Sequence, residues 1–223
     1  MAIVTLDRAQ VVQAAIGLLD EVGLDGLTLR RLGNELGVQA PALYWHFKNK
    51  QELLDQVFAT ISAVEAPPRP PDEGESWQRW LKQRARDRRH SLNGHRDGAM
   101  LAASTHPLES LWHDIEADIG VLVDTGMTAP DALEALITVS NFVTGFALEE
   151  QAERMRGAAI EDLEPAEVDR ALAGFADYPL LTEALREVGD PQSDRAFEAG
   201  LTLIIDGIRM RARQRRANQR SDT

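Results

Sequence analysis

Apolar residues recur at helical spacing along most of this chain. Over residues 7–22 they fall three or four positions apart, which predicts a helix with one buried face. Thr28 then stands at the N-cap of a second helix over 28–36, and Gly37 ends that helix. A proline suits the first turn of a short third helix over 39–46, because the missing N–H has no helical partner there.

A proline-rich connector separates these short helices from longer ones. Asn49 and Glu52 have the spacing of a capping box that starts a fourth helix, whereas four of the five residues 67–71 are proline, which no helix interior tolerates. We expect a first domain over residues 1–66 and a second over residues 67–223. Helical patterns follow at 75–93, from Pro107 to Gly126, and at 130–155, 165–187 and 194–213. No alternation typical of strands appears, so the predicted fold class is all-α.

Composition narrows the class of protein. The chain of 223 residues has no cysteine, which excludes disulfides and zinc–thiolate sites. It has neither a long uncharged apolar run nor a signal-peptide pattern, so we expect a cytoplasmic protein without a membrane partner. The net charge of −12 opposes binding to nucleic acid, although a negative body can carry a small positive face.

The second and third predicted helices have the order of a helix-turn-helix motif. In this motif the second helix lies in the major groove of DNA and presents its first residues to base edges. The amide of Gln39 matches adenine, and Arg30 of the preceding helix matches guanine or a phosphate. Lys50 begins the next helix, where its charge and the helix N–H groups both favour a phosphate.

Small and aromatic residues complete the predicted interface. Three small residues bring the backbone close to the bases, Tyr44 and His46 reach phosphates, and Leu43 and Phe47 face the core. An alternative places Trp45 in the core too, because aromatic residues on a short helix pack more often than they bind. The predicted DNA-binding residues are Thr28, Arg30, Gln39, Ala40, Pro41, Ala42, Tyr44, Trp45, His46 and Lys50.

The segment EVGLDGLTLRRLGNELGVQAPALYWHFKNKQELLDQV, residues 21–57, resembles the DNA-binding domain of the TetR family. The segments GESWQRWLKQRARDRRHSLNGHRDGAML, THP, TGMTAPDAL and NFVTGFALEEQ resemble the core domain of its tetracycline repressor subgroup. The resemblance implies a ligand-responsive repressor, a homodimer whose helices near 130–155 and 194–213 form a four-helix bundle with those of the partner. Two reading helices related by a two-fold axis imply a palindromic operator. Ala40 replaces a glutamine that helps to choose the operator in this subgroup, so the operator should differ.

The resemblance also locates an inducer site, where this chain departs from the subgroup. Ala102 stands in place of the histidine that holds magnesium, and Arg84 and Arg88 replace an asparagine and a phenylalanine that address the drug's rings. His106 and Asp118 replace an arginine and a glutamine. The predicted inducer is therefore an organic molecule other than magnesium–tetracycline, bound without metal or cofactor. The predicted ligand-binding residues are Arg84, Arg88, Ala102, Thr105, His106, Pro107, Asp118, Asn141 and Glu149.

Arg84 and Arg88 lie four positions apart on one helical face. If this face points inward, it suits a carboxylate or a phenolate on a flat apolar molecule. The alternative is a solvated basic face whose charge is balanced by Glu73, Glu75 and Asp87 at the surface.

Patterns of catalytic or metal-binding motifs are absent from the sequence, so we predict no catalytic residues, no metal and no enzyme. Two alternatives to a repressor remain open. One is a helical small-molecule carrier or enzyme that uses the helix-turn-helix as a scaffold, and the other is an adaptor that acts through its dimer surface. Neither alternative needs Arg30, Gln39, Tyr44 and Lys50 to be exposed together.

Overall fold

The described residues form helices and turns, which confirms the predicted all-α class. The computed structural model describes residues 6–156, 174, 175 and 177–221, and no strand occurs among them. The helices are α1 (Arg8–Gly26), α2 (Leu29–Glu35), α3 (Ala40–Leu43), α4 (Lys50–Glu65), α5 (Trp77–Gly94), α6 (Gly98–Ser104), α7 (Glu109–Asp124), α8 (Ala129–Arg156), α9 (Pro179–Val188) and α10 (Asp194–Ser221).

Local hydrogen bonds explain where the first helices begin and end. Asp7 and Gln10 form a capping box at the start of α1, and the Thr28 hydroxyl accepts the N–H of Arg31 at the start of α2. At Gly23 the backbone adopts φ +74°, a conformation that favours glycine. Helix α1 is therefore interrupted where the sequence predicts its end, although one further turn follows.

Helix α3 is shorter than the predicted range 39–46. Regular α-helix covers Ala40–Leu43, and the next three residues form tighter turns with hydrogen bonds that span three positions. In one of these, the N–H of Trp45 donates to the carbonyl of Ala42 at 3.3 Å. The backbone continues to turn beyond α3, and the N–H of Phe47 donates to the carbonyl of Leu43 at 3.0 Å, four positions earlier.

Helix α4 starts at the predicted cap and buries one face. The Asn49 side chain accepts the N–H of Glu52 at 2.8 Å, while the Glu52 carboxylate accepts the N–H of Lys48 at 2.8 Å instead of closing a capping box. The buried residues of α4 are Leu53, Leu54, Val57, Phe58, Ala59 and Ile61. This face packs against α1 and α5, with smaller contacts to α6 and α7.

The connector after α4 is held against α5. The indole of fully buried Trp80 donates to the carbonyl of Arg69 at 2.8 Å. The Arg69 guanidinium forms an ion pair with Glu75 at 3.0 Å. The chain divides into two compact units, Met1–Ala147 and Leu148–Thr223, and the connector lies within the first. The division of the sequence at residues 66 and 67 stays a prediction.

The later helices follow the predicted order with two differences. Helix α6 was not anticipated, because seven residues are too few to show a helical period. Helix α10 extends beyond residue 213, and it buries Phe197, Leu201 and Ile205, whereas Ile204 is only half-buried. Residues 165–173 and 176 of the predicted segment 165–187 lie outside the described residues.

Helix α8 is the described helix that is long and apolar enough to cross a membrane by length and composition. Core helices of water-soluble proteins pass the same test. The residues that α8 buries are Ala132, Ala135, Val139, Val143 and Ala147.

We predict that Gly33→Ala destabilises the protein by about 1–3 kcal/mol, as overpacked substitutions do. A Cβ at Gly33 would lie 2.9 Å from the Val38 carbonyl oxygen and 3.2 Å from the Ala40 nitrogen, which are backbone atoms. Denaturant unfolding followed by circular dichroism measures the change.

The matched control is Gly17→Ala in α1, where a Cβ meets nothing within 4 Å. Alanine stabilises a helix interior over glycine by about 1 kcal/mol, so this variant should gain stability. Equal effects of the two substitutions would contradict the close approach at Gly33.

Candidate DNA interface and ligand-recognition residues

Close backbone contact fixes the angle between α2 and α3. Gly33 is buried in α2, its carbonyl accepts the N–H of Val38 at 2.8 Å, and Gly37 turns the chain with φ +66°. Leu43 and Phe47 are buried on the inner side, as predicted. One face of α3 is therefore locked into the core, and the opposite face points outward.

The outward face begins with the predicted reading residues. Gln39 and Pro41 are exposed, while Ala40 and Ala42 are half-buried. Gln39 is the N-cap of α3 and makes no side-chain capping hydrogen bond. The side-chain amide of Gln39 is therefore not used to cap the helix.

Larger side chains surround this helix start. Tyr44 is 55% exposed and Trp45 is 90% exposed, so the alternative that places Trp45 in the core is wrong. Thr28 and Arg30 are exposed, and His46 is half-buried. Thr28 also caps α2, so its hydroxyl serves the fold as well as the predicted interface.

Arg8 of α1 contacts the turn that follows α3. Its guanidinium lies 4.5 Å from the centroid of the Phe47 ring and donates to the carbonyl of His46 at 3.1 Å and to Glu52 at 3.2 Å. The hydrogen bond from the Lys48 N–H lowers the pKa of the Glu52 carboxyl, and Arg8 lowers it further. The ionised carboxylate thus connects Arg8 of α1 to the start of α4.

Lys50 has a structural contact that the sequence did not indicate. Its ammonium group donates to the carbonyl of Leu24 at 3.2 Å. An ammonium carries three N–H donors, so this contact leaves room for a phosphate.

Arg84 of α5 points inward and is held by three acceptors. It donates to the carbonyls of Ala66 and Pro67 at 3.0 and 2.8 Å, and it forms an ion pair with Asp118 of α7 at 2.9 Å. Burial raises the pKa of the Asp118 carboxyl, and Arg84 offsets only part of this effect. Arg84 thus connects the start of the proline-rich connector to α7.

Arg88, one turn further along α5, has no such counter-charge. Its guanidinium donates to the Thr144 hydroxyl at 3.4 Å and lies 5.7 Å from the centroid of the Phe58 ring. Its buried Nε has no hydrogen-bond acceptor, and no carboxylate among the described residues forms a salt bridge with it. Burial and the neighbouring Arg84 lower the pKa of the Arg88 guanidinium to about 10. The alternative of a solvated basic face does not fit Arg84 or Arg88.

The predicted residues at the end of α6 lie against α4. The backbone N–H of His106 donates to Asp55 at 3.2 Å, and the Thr105 hydroxyl donates to the carbonyl of Ala102 at 3.3 Å. His106 and Pro107 are exposed, whereas Ala102 and Thr105 are half-buried. These residues form a loop fixed to α4.

Two predicted ligand-binding residues, Asn141 and Glu149, make no described contact with Arg84 or Arg88. Asn141 is exposed on α8, and Glu149 is exposed on the same helix but belongs to the second compact unit. Their assignment as ligand-binding residues stays a prediction.

Three partners of Arg84 and Arg88 were not predicted from the sequence. Phe58 of α4 and Thr144 of α8 flank Arg88, and the carbonyl of Pro67 is an acceptor for Arg84. No periodicity or motif indicates these contacts, because they join segments that lie far apart in the chain. Among the described residues, no group of three or more His, Asp or Glu side chains is arranged to hold a metal ion.

Comparison with known proteins assigns both parts of the chain. The sequence model of the bacterial regulatory proteins of the tetR family matches residues 11–57, and that of the tetracyclin repressor-like C-terminal domain matches residues 70–212. The tetracycline repressor protein class C of Escherichia coli is 40% identical over 207 residues, which cover 91% of this chain and 90% of that protein.

Solved structures agree with the sequence comparison. A singly substituted TetR of Acinetobacter baumannii AYE in complex with minocycline has a TM-score of 0.71 and 34% identity, covering 93% of this chain and 98% of its own. BioQ with its double-stranded DNA operator has a TM-score of 0.65 and 29% identity, covering 91% and 98%. This chain therefore belongs to the TetR family of bacterial transcriptional regulators, with a tetracycline repressor-like C-terminal domain.

Proposed function

We propose that this protein is a transcriptional repressor that binds a palindromic operator as a homodimer and releases it when a small organic anion binds the core domain. The observation that supports DNA binding is the exposure of Gln39, Tyr44 and Trp45 at the two ends of α3, together with that of Arg30 on α2. Tyr44 and Trp45, in the turn that follows α3, are neighbouring large side chains that are 55% and 90% exposed, and such an exposed apolar patch favours a partner surface. A protein of this kind acts where DNA is, in the cytoplasm.

Exposed apolar residues support the proposed homodimer. Leu203 and Met210 are 75% and 62% exposed on α10 and lie seven positions apart, so they share one helical face. Leu133 and Ile137 are likewise exposed, four positions apart on α8. Such stripes on the two longest helices fit a second copy of the chain, as the four-helix bundle requires.

The environment of Arg88 supports an anionic inducer. A charge withdrawn from water is costly unless an opposite charge pairs with it, and Arg88 has no such partner among the described residues. Arg84, by contrast, is already neutralised by Asp118. The site is therefore suited to one carboxylate or phenolate on Arg88, with an apolar body against Phe58.

The inducer of this protein is proposed to bind without magnesium. Ala102 has no side-chain atom that binds a metal, and it stands where the resemblance places the magnesium-binding histidine. A guanidinium repels a magnesium ion and attracts the anion that the ion would otherwise bind. The proposed inducer is thus a different chemical class from the minocycline bound to the Acinetobacter baumannii protein.

Helix α4 is the proposed lever between inducer and operator. Its residue Phe58 lies 5.7 Å from the Arg88 guanidinium, and its first residue, Lys50, follows the turns after α3. An anion that binds Arg88 changes the contact with Phe58 and so favours one position of α4. Moving the operator from mostly bound to mostly free requires about 10⁴-fold tighter inducer binding to the released state, or about 5.5 kcal/mol.

The alternatives are a carrier or enzyme with the helix-turn-helix as scaffold, and a protein-binding adaptor. The pure protein should select fragments from random or genomic DNA, and the recovered palindrome should define the operator. A carrier, an enzyme or an adaptor would select no common sequence.

Two substitutions separate phosphate contact from base reading. Lys50→Ala should weaken binding to all DNA sequences and lower the slope of log affinity against log salt by about one unit, because one phosphate contact is lost. Gln39→Ala should instead relax base preference at one position of each half-site. Binding titrations at several salt concentrations, with operator and scrambled duplexes, measure both effects.

We call helices α1–α3 the reading head. Lys82→Ala on α5 is the matched control for loss of one lysine charge outside the reading head. It should leave the salt slope and the base preference of the parent unchanged. If Lys82→Ala and Lys50→Ala behave alike, the start of α4 does not bind phosphate.

Leu203→Glu should convert the proposed dimer into a folded monomer. Leu203 is exposed in the single subunit, so the glutamate harms the bundle but not the subunit, whereas an unpaired charge buried between subunits is strongly destabilising. Sedimentation velocity and circular dichroism measure mass and folding.

Met100→Glu adds the same charge at an exposed apolar residue of α6 and should leave the dimer intact. A dimeric Leu203→Glu protein would place the interface elsewhere.

Arg88→Met should abolish the response to aromatic carboxylates and leave operator affinity in their absence unchanged. Each hydrogen bond to a charged group contributes about 1.5–3 kcal/mol, so the loss corresponds to about 10- to 100-fold in ligand affinity. Because a buried unpaired charge is replaced by an apolar chain, the unfolding free energy should stay equal or rise. Flat aromatic acids and their methyl esters, compared by thermal shift and operator release, are the probes.

The exposed residue Arg79 on the same helix provides the control Arg79→Met, which should respond as the parent does. Chelating agents should change nothing. Operator release by tetracycline only in the presence of magnesium would contradict the anionic inducer.

A further inference from the structure

A histidine in the turn between α5 and α6 is bound on both sides by carboxylates. Nδ1 of His95 lies 2.9 Å from Asp20 of α1, and Nε2 lies 2.9 Å from Glu65 of α4. The side chain of His95 is only 10% exposed. Asp20 and Glu65 lie 75 and 30 positions from His95 in the chain, and the three residues meet within the first compact unit.

The chemistry of this contact requires a charged ring. A neutral imidazole has one N–H and one lone pair, whereas a carboxylate only accepts hydrogen bonds. Both ring nitrogens of His95 must therefore carry protons for Asp20 and Glu65 both to be bound. When the ring loses one proton, one carboxylate faces a lone pair and is repelled.

Neighbouring contacts make this turn the junction between the reading head and the core. The side chain of Asp97 accepts the N–H of Leu24 at 2.8 Å, and the Arg96 guanidinium donates to the carbonyl of Glu21 at 2.8 Å. A Cβ at Gly23 would lie 2.5 Å from the Asp97 carboxylate, so the glycine is needed for this approach. The end of α1 thus rests on the α5–α6 turn through His95, Arg96 and Asp97.

We propose that the His95 imidazolium is a proton-dependent latch, which holds α1 and α4 against the α5–α6 turn and so keeps the reading head in its operator-binding position. This inference rests on the proposed repressor function, but the latch itself is a property of the free protein. Loss of the proton releases α1 or α4 and lowers operator affinity. The regulator then responds to pH as well as to its inducer.

The direction of the response follows from the charges around the ring. Asp20 faces it from α1 and Glu65 from α4, and Arg96 and Asp97 lie in its own turn. Burial lowers the pKa of His95, but the two carboxylates outweigh it, and the net pKa is raised above the usual value. The latch is therefore closed below the ordinary histidine pKa and opens as the pH rises through this raised pKa.

The first test needs no DNA. Proton NMR of the purified full chain should show His95 titrating above the ordinary histidine pKa. Asp20→Asn and Glu65→Gln should each lower the titration midpoint of His95, because each removes a carboxylate that stabilises the cation. A His95 midpoint at or below the ordinary histidine pKa, or one unchanged in both variants, would overturn the latch.

The second test uses the duplex selected by the parent protein. Its affinity should fall at least about fivefold from pH 6 to pH 9, the lower end of usual coupling between sites. His95→Gln should show weaker binding at pH 6 and a flatter profile, while His95→Lys should keep binding at pH 9 because lysine stays charged there.

His46 is the histidine at the predicted DNA interface, so His46→Gln is the matched control. This variant should keep the pH dependence of the parent. An identical pH profile in the parent and in His95→Gln would refute the coupling to DNA. A protein that selects no duplex at all, yet shows the raised His95 midpoint, would refute the repressor and retain the latch.

Discussion

The buried face of helix α4 packs against both α1 and α5, and the arrangement of the first compact unit depends on this packing. Its buried residues contact α1 on the side of the reading head and α5 on the side of the core. Burial of a large apolar side chain contributes about 1.5–3 kcal/mol, so a helix with several such residues cannot move without repacking both neighbours. Helix α4 begins at Lys50, after the turns that follow α3, and its last residue, Glu65, contacts His95.

Charge is distributed unevenly around this packed helix. Arg84 is paired with Asp118 and carbonyl oxygens, whereas Arg88, one turn away, has only a hydroxyl and an aromatic ring. On the other side, His95 has two carboxylates. An unpaired cation attracts an external anion, while a cation between two anions retains its proton. Helix α4 therefore contacts Arg88, which has no carboxylate partner among the described residues, and His95, which has two.

Much of the fold could be predicted because its signals are local. The caps at Thr28 and Asn49 and the turn at Gly37 act within a few residues, and the structure places all three as predicted. The short helix α6 and the end of α3 could not be predicted in the same way. Helix α6 has too few residues for a period, and after Leu43 the chain chooses between α-helical and tighter bonds by a small energy difference that packing decides.

The sequence by itself determined the all-α class, the helix-turn-helix and the residue types of the reading face, because these depend on periodicity and on caps that act over three or four positions. The tertiary structure decided which charges are paired. Sequence spacing places Arg84 and Arg88 alike on one face, yet Asp118 from α7 neutralises only the first. It also exposed Trp45 and enclosed His95 between α1 and α4. Which buried charges form pairs depends on segments that folding brings together, so the spacing of residues along the chain does not predict the pairs.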